Sequence, residues 1–218
     1  MVHIISQQNS VFKRFIAEIR DEKIQKDRWR FRNNLERIGQ IFAYEISKQF
    51  DYAEAKVKTP LGSAKTELNT DNPVLCTILR AGLPLHQGML NYFDQADNAF
   101  VSAYRHHKNG DDNFDIEVEY LSSPELQDRV LIISDPMLAT GSSIIKVYKA
   151  LKKLGRPKQI HVVSVIASVE GLALVKQQLP PTTHFWLGAL DEELTAQAYI
   201  VPGLGDAGDL AFGEKLST

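Results

Sequence analysis

The sequence predicts an α/β fold, a central parallel sheet flanked by helices, with an N-terminal helical segment and a β-hairpin arm ahead of it. Three observations lead there. From Pro73 onward, short apolar runs alternate with helical patterns, the rhythm of βαβ units. Residues 130–133 read Val-Leu-Ile-Ile, an unbroken apolar run that fits a strand buried on both faces. And 218 residues suffice for one such domain with a full core but are short for two. A single domain over residues 1–218 is therefore expected, with no repeat, low-complexity tract or linker.

Taken in order, residues 10–50 read as helical. Val11, Phe15 and Ile19 share one face of a first helix, and Leu35, Ile38, Phe42 and Ile46 one face of a longer second. Arg28, Arg30, Arg32 and Arg37 read as a solvated or ion-paired face. Residues 53–68 read as a hairpin arm: Ala55, Val57 and Thr59 alternate, Pro60-Leu61-Gly62 turns the chain, and Ala64, Thr66 and Leu68 alternate back. Such an arm has one polar face and suits covering another element or subunit. The core is expected over 73–190, with strands at Val74–Leu79, Ala99–Ala103, Val130–Ile133, Ile160–Ala167 and His184–Leu187. Helices are expected at Leu83–Tyr92, after Gly141, and at Gly171–Gln178. Phe114–Leu121 reads as a hairpin partner, and the polar segment Arg105–Asn113 as a mobile loop.

Composition excludes several classes. Net charge is −2 and the sequence pI about 6.3, so no global field recruits nucleic acid or an anionic membrane. No apolar run approaches the ~20 residues of a membrane span, and the N-terminus lacks signal-peptide architecture. The lone Cys76, inside an apolar strand pattern, reads as a buried hydrophobe and not as a nucleophile. A cytoplasmic protein is expected.

The most informative stretch is Asp135-Pro136-Met137-Leu138-Ala139-Thr140-Gly141-Ser142-Ser143, directly after the 130–133 strand and ahead of a helix carrying Ile144, Ile145, Val147, Tyr148 and Leu151 on its apolar side. A strand, a loop of small polar residues and a helix N-terminus converge backbone N–H groups, hydroxyls and the positive end of the helix dipole on one point. The loop is neither a P-loop nor a Gly-x-Gly-x-x-Gly turn. A carboxylate ahead of a lysine-free cradle suits a ribose 5-phosphate, with Asp135 accepting from ribose hydroxyls. Arg80-Ala81-Gly82 and Tyr104-Arg105 follow two other strands and supply cations for phosphate oxygens. The segment 199–209, within a C-terminal loop expected over 197–213, contains Pro202, Gly203, Gly205 and Gly208, which argue against a regular helix or central strand. Its free main-chain groups, with Tyr199 as a lid, suit a small planar heterocycle. Asp206 and Asp209 suit a hydrated Mg²⁺ or ligand hydroxyls. His106-His107 reads as a solvated loop pair and His86 as a packing residue.

The motifs at 135–143, Ile-Leu-Arg-Ala-Gly-Leu at 78–83, Tyr-Arg at 104–105 and Tyr-Ile-Val-Pro-Gly-Leu-Gly-Asp-Ala-Gly-Asp at 199–209 together resemble the uracil phosphoribosyltransferase family, in its order and from about the first helix to the C-terminus. The resemblance implies a type I phosphoribosyltransferase fold with a flexible hood, joining uracil to 5-phospho-α-D-ribose 1-diphosphate with Mg²⁺ to give UMP and diphosphate. It implies that Asp135, Pro136, Met137, Leu138, Ala139, Thr140, Gly141, Ser142 and Ser143 bind the ribose 5-phosphate moiety and that Arg80 and Arg105 bind the diphosphate. Tyr199, Ile200, Gly205, Asp206 and Ala207 form the uracil site. Asp206 also faces the donor. No dedicated base is expected; Arg105 and Asp206 act as charge stabilisers, and Mg²⁺ is carried mainly by the diphosphate, with Asp206 as its protein contact. A homodimer, and for some relatives a GTP effector, belong to the same expectation. The family usually carries Gly where Ser142 stands, and His106-His107 also departs from it. The rival readings are a phosphoribosyltransferase for another base and a non-catalytic nucleotide sensor or RNA-binding regulator on the same scaffold.

Overall fold

Four helices and a sheet edge frame the site, and each forms for a local reason. The computed structural model describes residues 1–107 and 114–215, with side chains outside 103–118. The mobile loop expected at Arg105–Asn113 begins later than the pattern suggested: residues 104–107 extend the strand Asp97–His107 and pair with 114–117, so Tyr104-Arg105 and His106-His107 lie on a strand and not beyond one. Residues 108–113, and the side chains of Tyr104, Arg105, His106 and His107, lie outside the described residues.

In chain order the elements are β1 (Val2–Ile4), α1 (Phe12–Arg20), α2 (Arg28–Ser47), β2 (Tyr52–Thr59), β3 (Gly62–Asn69), β4 (Val74–Leu79), α3 (Leu83–Leu90), β5 (Asp97–His107) and β6 (Phe114–Ser122). Then come β7 (Val130–Ser134), β8 (Met137–Leu138), α4 (Ser142–Leu151), β9 (Gln159–Ser168), α5 (Val169–Gln178), β10 (His184–Asp191), β11 (Glu193–Leu194), β12 (Ile200–Val201) and α6 (Ala207–Phe212). The main sheet runs β1-β10-β9-β7-β4-β5-β6, with β8 also on β9. Every neighbouring pair is parallel except β5–β6. Parallel strands all end on one edge, and the loops leaving that edge build the site.

Alternation divides the core. In β7, Val130 and Ile132 join the cluster under α1, α2 and α3, whereas Leu131 and Ile133 join the cluster under α4 and α5. This strand is buried on both faces, as its unbroken apolar run requires. Cys76 lies fully buried in β4, and desolvation pushes its thiol up to about 12, so it packs and does not react.

The expected face of α1 is off by one residue at two positions. Phe12, Ile16 and Ile19 are buried, while Val11 is 59% exposed. The ring of Phe12 meets Phe42 of α2 edge-on at 5.7 Å between centroids, which sets the rotation of the helix. Phe15 lies under the guanidinium of Arg37, 5.4 Å from its ring centre. Leu35, Ile38, Phe42 and Ile46 are fully buried along α2 as expected, and Asp27 caps that helix by accepting from the Arg30 N–H. Arg30 pairs with Glu18 at 3.2 Å, but Arg32 departs from the solvated-face reading and donates to the Ala211 carbonyl of α6 at 2.7 Å. The helix after Arg80 stops at Leu90, two residues short of expectation.

The C-terminal segment is more ordered than its glycine content suggested. Ile200–Val201 pairs antiparallel with Glu193–Leu194, and residues 207–212 form a short helix. The stretch between them, and residues 197–199 ahead of them, are free of ladders. The edge strand β1 was not expected, because its three residues are too few to show a pattern.

Candidate active site

The loop of small polar residues expected to cradle a phosphate begins where β7 ends. Asp135 Oδ1 accepts from the Met137 N–H at 3.2 Å, folding the chain back at Pro136. Pro136 and Leu138 are buried, and β9 takes their backbone: the Pro136 carbonyl accepts from Val165 and Ile166 N–H groups, and the Leu138 N–H donates to Ser164 Oγ at 3.0 Å. Residues 136–138 thus anchor the loop, and residues 139–143 form its open part. Ser168, at the end of β9, accepts from the Gly171 N–H and donates to the Ala139 carbonyl, tying the cradle to α5.

Gly141 has φ +78°, and a Cβ there would strike Val175 of α5. It precedes α4 with no side-chain cap, so the first turn of this ten-residue helix opens toward the loop, with the Ser142 N–H in a long contact to Thr140 Oγ1 at 3.4 Å. Thr140 Oγ1 donates to Ser142 Oγ at 3.1 Å. The side chain at Ser142 therefore extends the polar wall, and two hydroxyls join the backbone donors.

The neighbouring strand brings the first cation. β4 and β7 run side by side, with Thr77 opposite Ser134, so Arg80 leaves the sheet beside Asp135. The Leu79–Arg80 peptide is cis. Ile78 and Arg80 carbonyls accept from Gly82 and Leu83 N–H groups, and a Cβ at Gly82 would strike Thr77, so this tight turn requires glycine. Arg80 Nη2 donates to Asp209 Oδ1 at 3.0 Å and to the Gly213 carbonyl at 3.2 Å. The loop after β4 and the C-terminal segment therefore face one another across 129 residues of sequence. Arg105 lies on β5, the next strand over, with its backbone opposite Ile116.

The C-terminal segment passes over the same edge. Ile200, Leu204, Ala207 and Ala211 are buried in the cluster against which Met137, Ala139 and Ala81 pack. This segment is seated and is not a free tail. Gly205 has φ +97° with open space where a Cβ would stand. Asp206 Oδ1 accepts from the Gly208 and Asp209 N–H groups at 2.8 and 3.0 Å, capping α6. Tyr199 is 47% exposed beside it. Sequence reasoning did not include Arg20, Asp191 and Gln25, which hold this segment from behind; they lie far from every motif.

His86 is buried and bonded to Asn98 at 2.8 Å, a packing residue as expected. Among the described residues no group of three His, Cys, Asp or Glu side chains could hold a metal on its own. No helix among them is long and apolar enough to cross a membrane.

Residues 5–214 match the model of the family described as uracil phosphoribosyltransferase. The chain is 53% identical over 216 residues to a uracil phosphoribosyltransferase of Porphyromonas gingivalis, covering 99% of each. It is 39% identical over 206 residues to one of Thermococcus gammatolerans, covering 93% of this chain and 89% of that one. The solved structure of AQ2163 protein from Aquifex aeolicus matches with a TM-score of 0.86 at 26% identity, over the full length of both chains. The mostly parallel sheet, with a loop of small residues after β7 and a seated C-terminal segment, and the family match together make the chain a phosphoribosyltransferase of type I fold. More narrowly, the chain belongs to the uracil phosphoribosyltransferase family. It is a pentosyltransferase that joins uracil to the phosphoribosyl group of 5-phospho-α-D-ribose 1-diphosphate, giving UMP and diphosphate.

Proposed function

We propose that residues 139–143 hold the 5-phosphate of the donor, Asp135 its ribose hydroxyls, Arg80 and Arg105 its diphosphate, and residues 199–207 the uracil ring. The observation that carries this reading is the approach of Arg80 to Asp209, which supports a shared cleft between the diphosphate and nucleobase subsites. The Arg80–Asp209 pair is exposed on both sides, at 42% and 30%, so it is worth at most about 1 kcal/mol. Arg80 can therefore turn from Asp209 to an arriving diphosphate at little cost, where bidentate contacts to phosphate oxygens are stronger.

As the anomeric carbon loses diphosphate, positive charge grows on the ribose and negative charge on the leaving group. Such a transition state needs little from a protein nucleophile. Arg80 and Arg105 stabilise the leaving charge, while the two loops hold donor and base in line. Ile200 and the backbone of 205–207 meet the ring; with the Asp206 carbonyl already accepting from the Leu210 N–H, the Gly205 carbonyl serves as acceptor for the ring N–H, and no side chain is assigned as base. The donor set is one of hard oxygens, which suits Mg²⁺ carried in by the substrate, with Asp206 as its protein contact. Bound there, Mg²⁺ neutralises charge on the diphosphate. With Oδ1 of Asp206 committed to the helix cap, Oδ2 is the oxygen available to it.

A homodimer formed through the β2–β3 arm belongs to the same reading. Cytoplasmic residence does too, supported by a lone Cys76 that forms no disulfide. GTP activation rests on the family resemblance alone. One assay tests the set: diphosphate release from the donor with uracil, cytosine, orotate or hypoxanthine, with and without GTP. Release with uracil at least a hundredfold above the other bases is expected; equal rates across bases, or a preference for another base, contradict the assignment of the 199–207 loop.

A further inference from the structure

Behind the C-terminal loop, one residue is held at both its N–H and its carbonyl by a single ion pair. Gly203 sits between β12 and α6 with φ +53°. Its N–H donates to Asp191 Oδ2 at 2.9 Å, and its carbonyl accepts from Arg20 Nη1 at 2.9 Å. The same Nη1 donates to Asp191 Oδ2 at 2.8 Å and Nη2 to Oδ1 at 2.7 Å, a fork-to-fork pair. Arg20 is the last residue of α1, and Asp191 the last of β10. Gln25, with its amide nitrogen turned to the loop, donates to the Leu204 carbonyl at 2.9 Å and to that of Ile19 at 3.0 Å.

A pair this buried, with Asp191 7% and Arg20 21% exposed, does not stabilise a fold efficiently, because desolvation offsets most of the Coulomb attraction. What distinguishes this one is where its remaining hydrogen-bonding capacity goes. It goes to Gly203, and so to the two peptide units that flank it, in the loop that carries Ile200 before it and Gly205, Asp206 and Ala207 after it. Recognition by main chain depends on the height and tilt of a few peptide planes, so an error of about 1 Å is costly. In this segment of five residues, the buried Leu204 side chain and Gln25 hold the residue after Gly203, while the Arg20–Asp191 pair takes both main-chain groups of Gly203.

We infer that Arg20 and Asp191 are positioning residues for the nucleobase: their bidentate pair fixes Gly203 through its N–H and its carbonyl and so sets the backbone that meets the ring. The inference rests on the reading that residues 199–207 take uracil. Neither side chain touches substrate.

The test combines Arg20→Lys, Arg20→Ala and Asp191→Asn with two readouts. Steady-state kinetics give KM for uracil and for the phosphoribosyl donor separately. Hydrogen exchange of 200–207 in the unaltered protein, with and without uracil in the presence of diphosphate, asks whether this loop is the uracil site at all. Expected are a rise of tenfold or more in KM for uracil in each variant, with KM for the donor within twofold. Millimolar guanidinium, but not equal sodium chloride, should restore Arg20→Ala, which a mere loss of folded protein would not show. If uracil protects the loop yet KM for uracil is unchanged, or both KM values and kcat move together in step with the melting temperature, the positioning role is overturned. If uracil gives the loop no protection, the underlying assignment fails, and the inference with it.

Discussion

Single residues carry the cradle, and Gly141 carries most. Its φ of +78° is one that an L side chain adopts at a cost of about 1–2 kcal/mol. The collision of a new Cβ with Val175 adds about 1–3 kcal/mol. Gly141→Ala should therefore lower unfolding free energy by about 2 kcal/mol or more, read in urea, and raise KM for the donor more than KM for uracil. A variant of unaltered stability would contradict the packing account. This residue was legible in the sequence, because an apolar run, an Asp-Pro step and a small polar loop follow one another within fourteen positions. Arg20 and Asp191 were not, since 171 residues separate them and neither belongs to a motif. Arg80 lay between these cases. Its position at a strand end was readable, but its partner Asp209 was not.

Among the elements, the β2–β3 arm stands apart. Its register pairs Ala53 with Leu68, Ala55 with Thr66 and Val57 with Ala64 on one face. Glu54–Glu67 and Lys56–Lys65 oppose one another on the other face, eased by a diagonal Glu54–Lys65 bridge at 3.1 Å. Leu61 at the tip is fully exposed. A two-stranded ribbon is marginal by itself in water, so its apolar face needs a cover. Under the homodimer reading, Val57→Asp with Leu68→Asp should turn the dimer into a folded monomer by light scattering, with far-UV circular dichroism of the body kept. A double variant that stays dimeric removes the arm from the interface. The hairpin was readable from its alternation and turn, whereas the rotation of α1 was not. Adjacent apolar residues at 11, 12, 15, 16 and 19 allow two overlapping stripes, and the Phe12–Phe42 contact decides between them.

At the scale of the whole molecule, strand order and the packing of the N-terminal helices over one face of the sheet follow from tertiary contacts that local patterns do not encode. The histidines show a further global consequence. His161 is fully buried and accepts from Trp186 Nε1 at 3.1 Å through Nδ1, so it is held neutral. Burial, and then His184 and His3 nearby, lower its pKa from 6.5 to about 3. His3, His184 and His86 shift in the same direction, each first through burial. Between pH 6.5 and about 3 the unfolded chain takes up the proton that folded His161 refuses, so stability falls as pH falls through that window, by about 1.4 kcal/mol per unit for this group. Melting temperatures from pH 7.5 to 5 should drop more steeply for the natural protein than for His161→Gln; parallel curves would count against a neutral buried His161.

The proposed function places a sugar phosphate and a pyrimidine together between two loops at one sheet edge. A crystal structure with uracil and a non-reactive analogue of the donor tests that most directly. The account predicts the 5-phosphate within hydrogen-bonding distance of the Ser142 and Ser143 N–H groups, and the ring against the main chain of Ile200 and residues 205–207. Both ligands bound elsewhere, with residues 139–143 contacting neither, would contradict it.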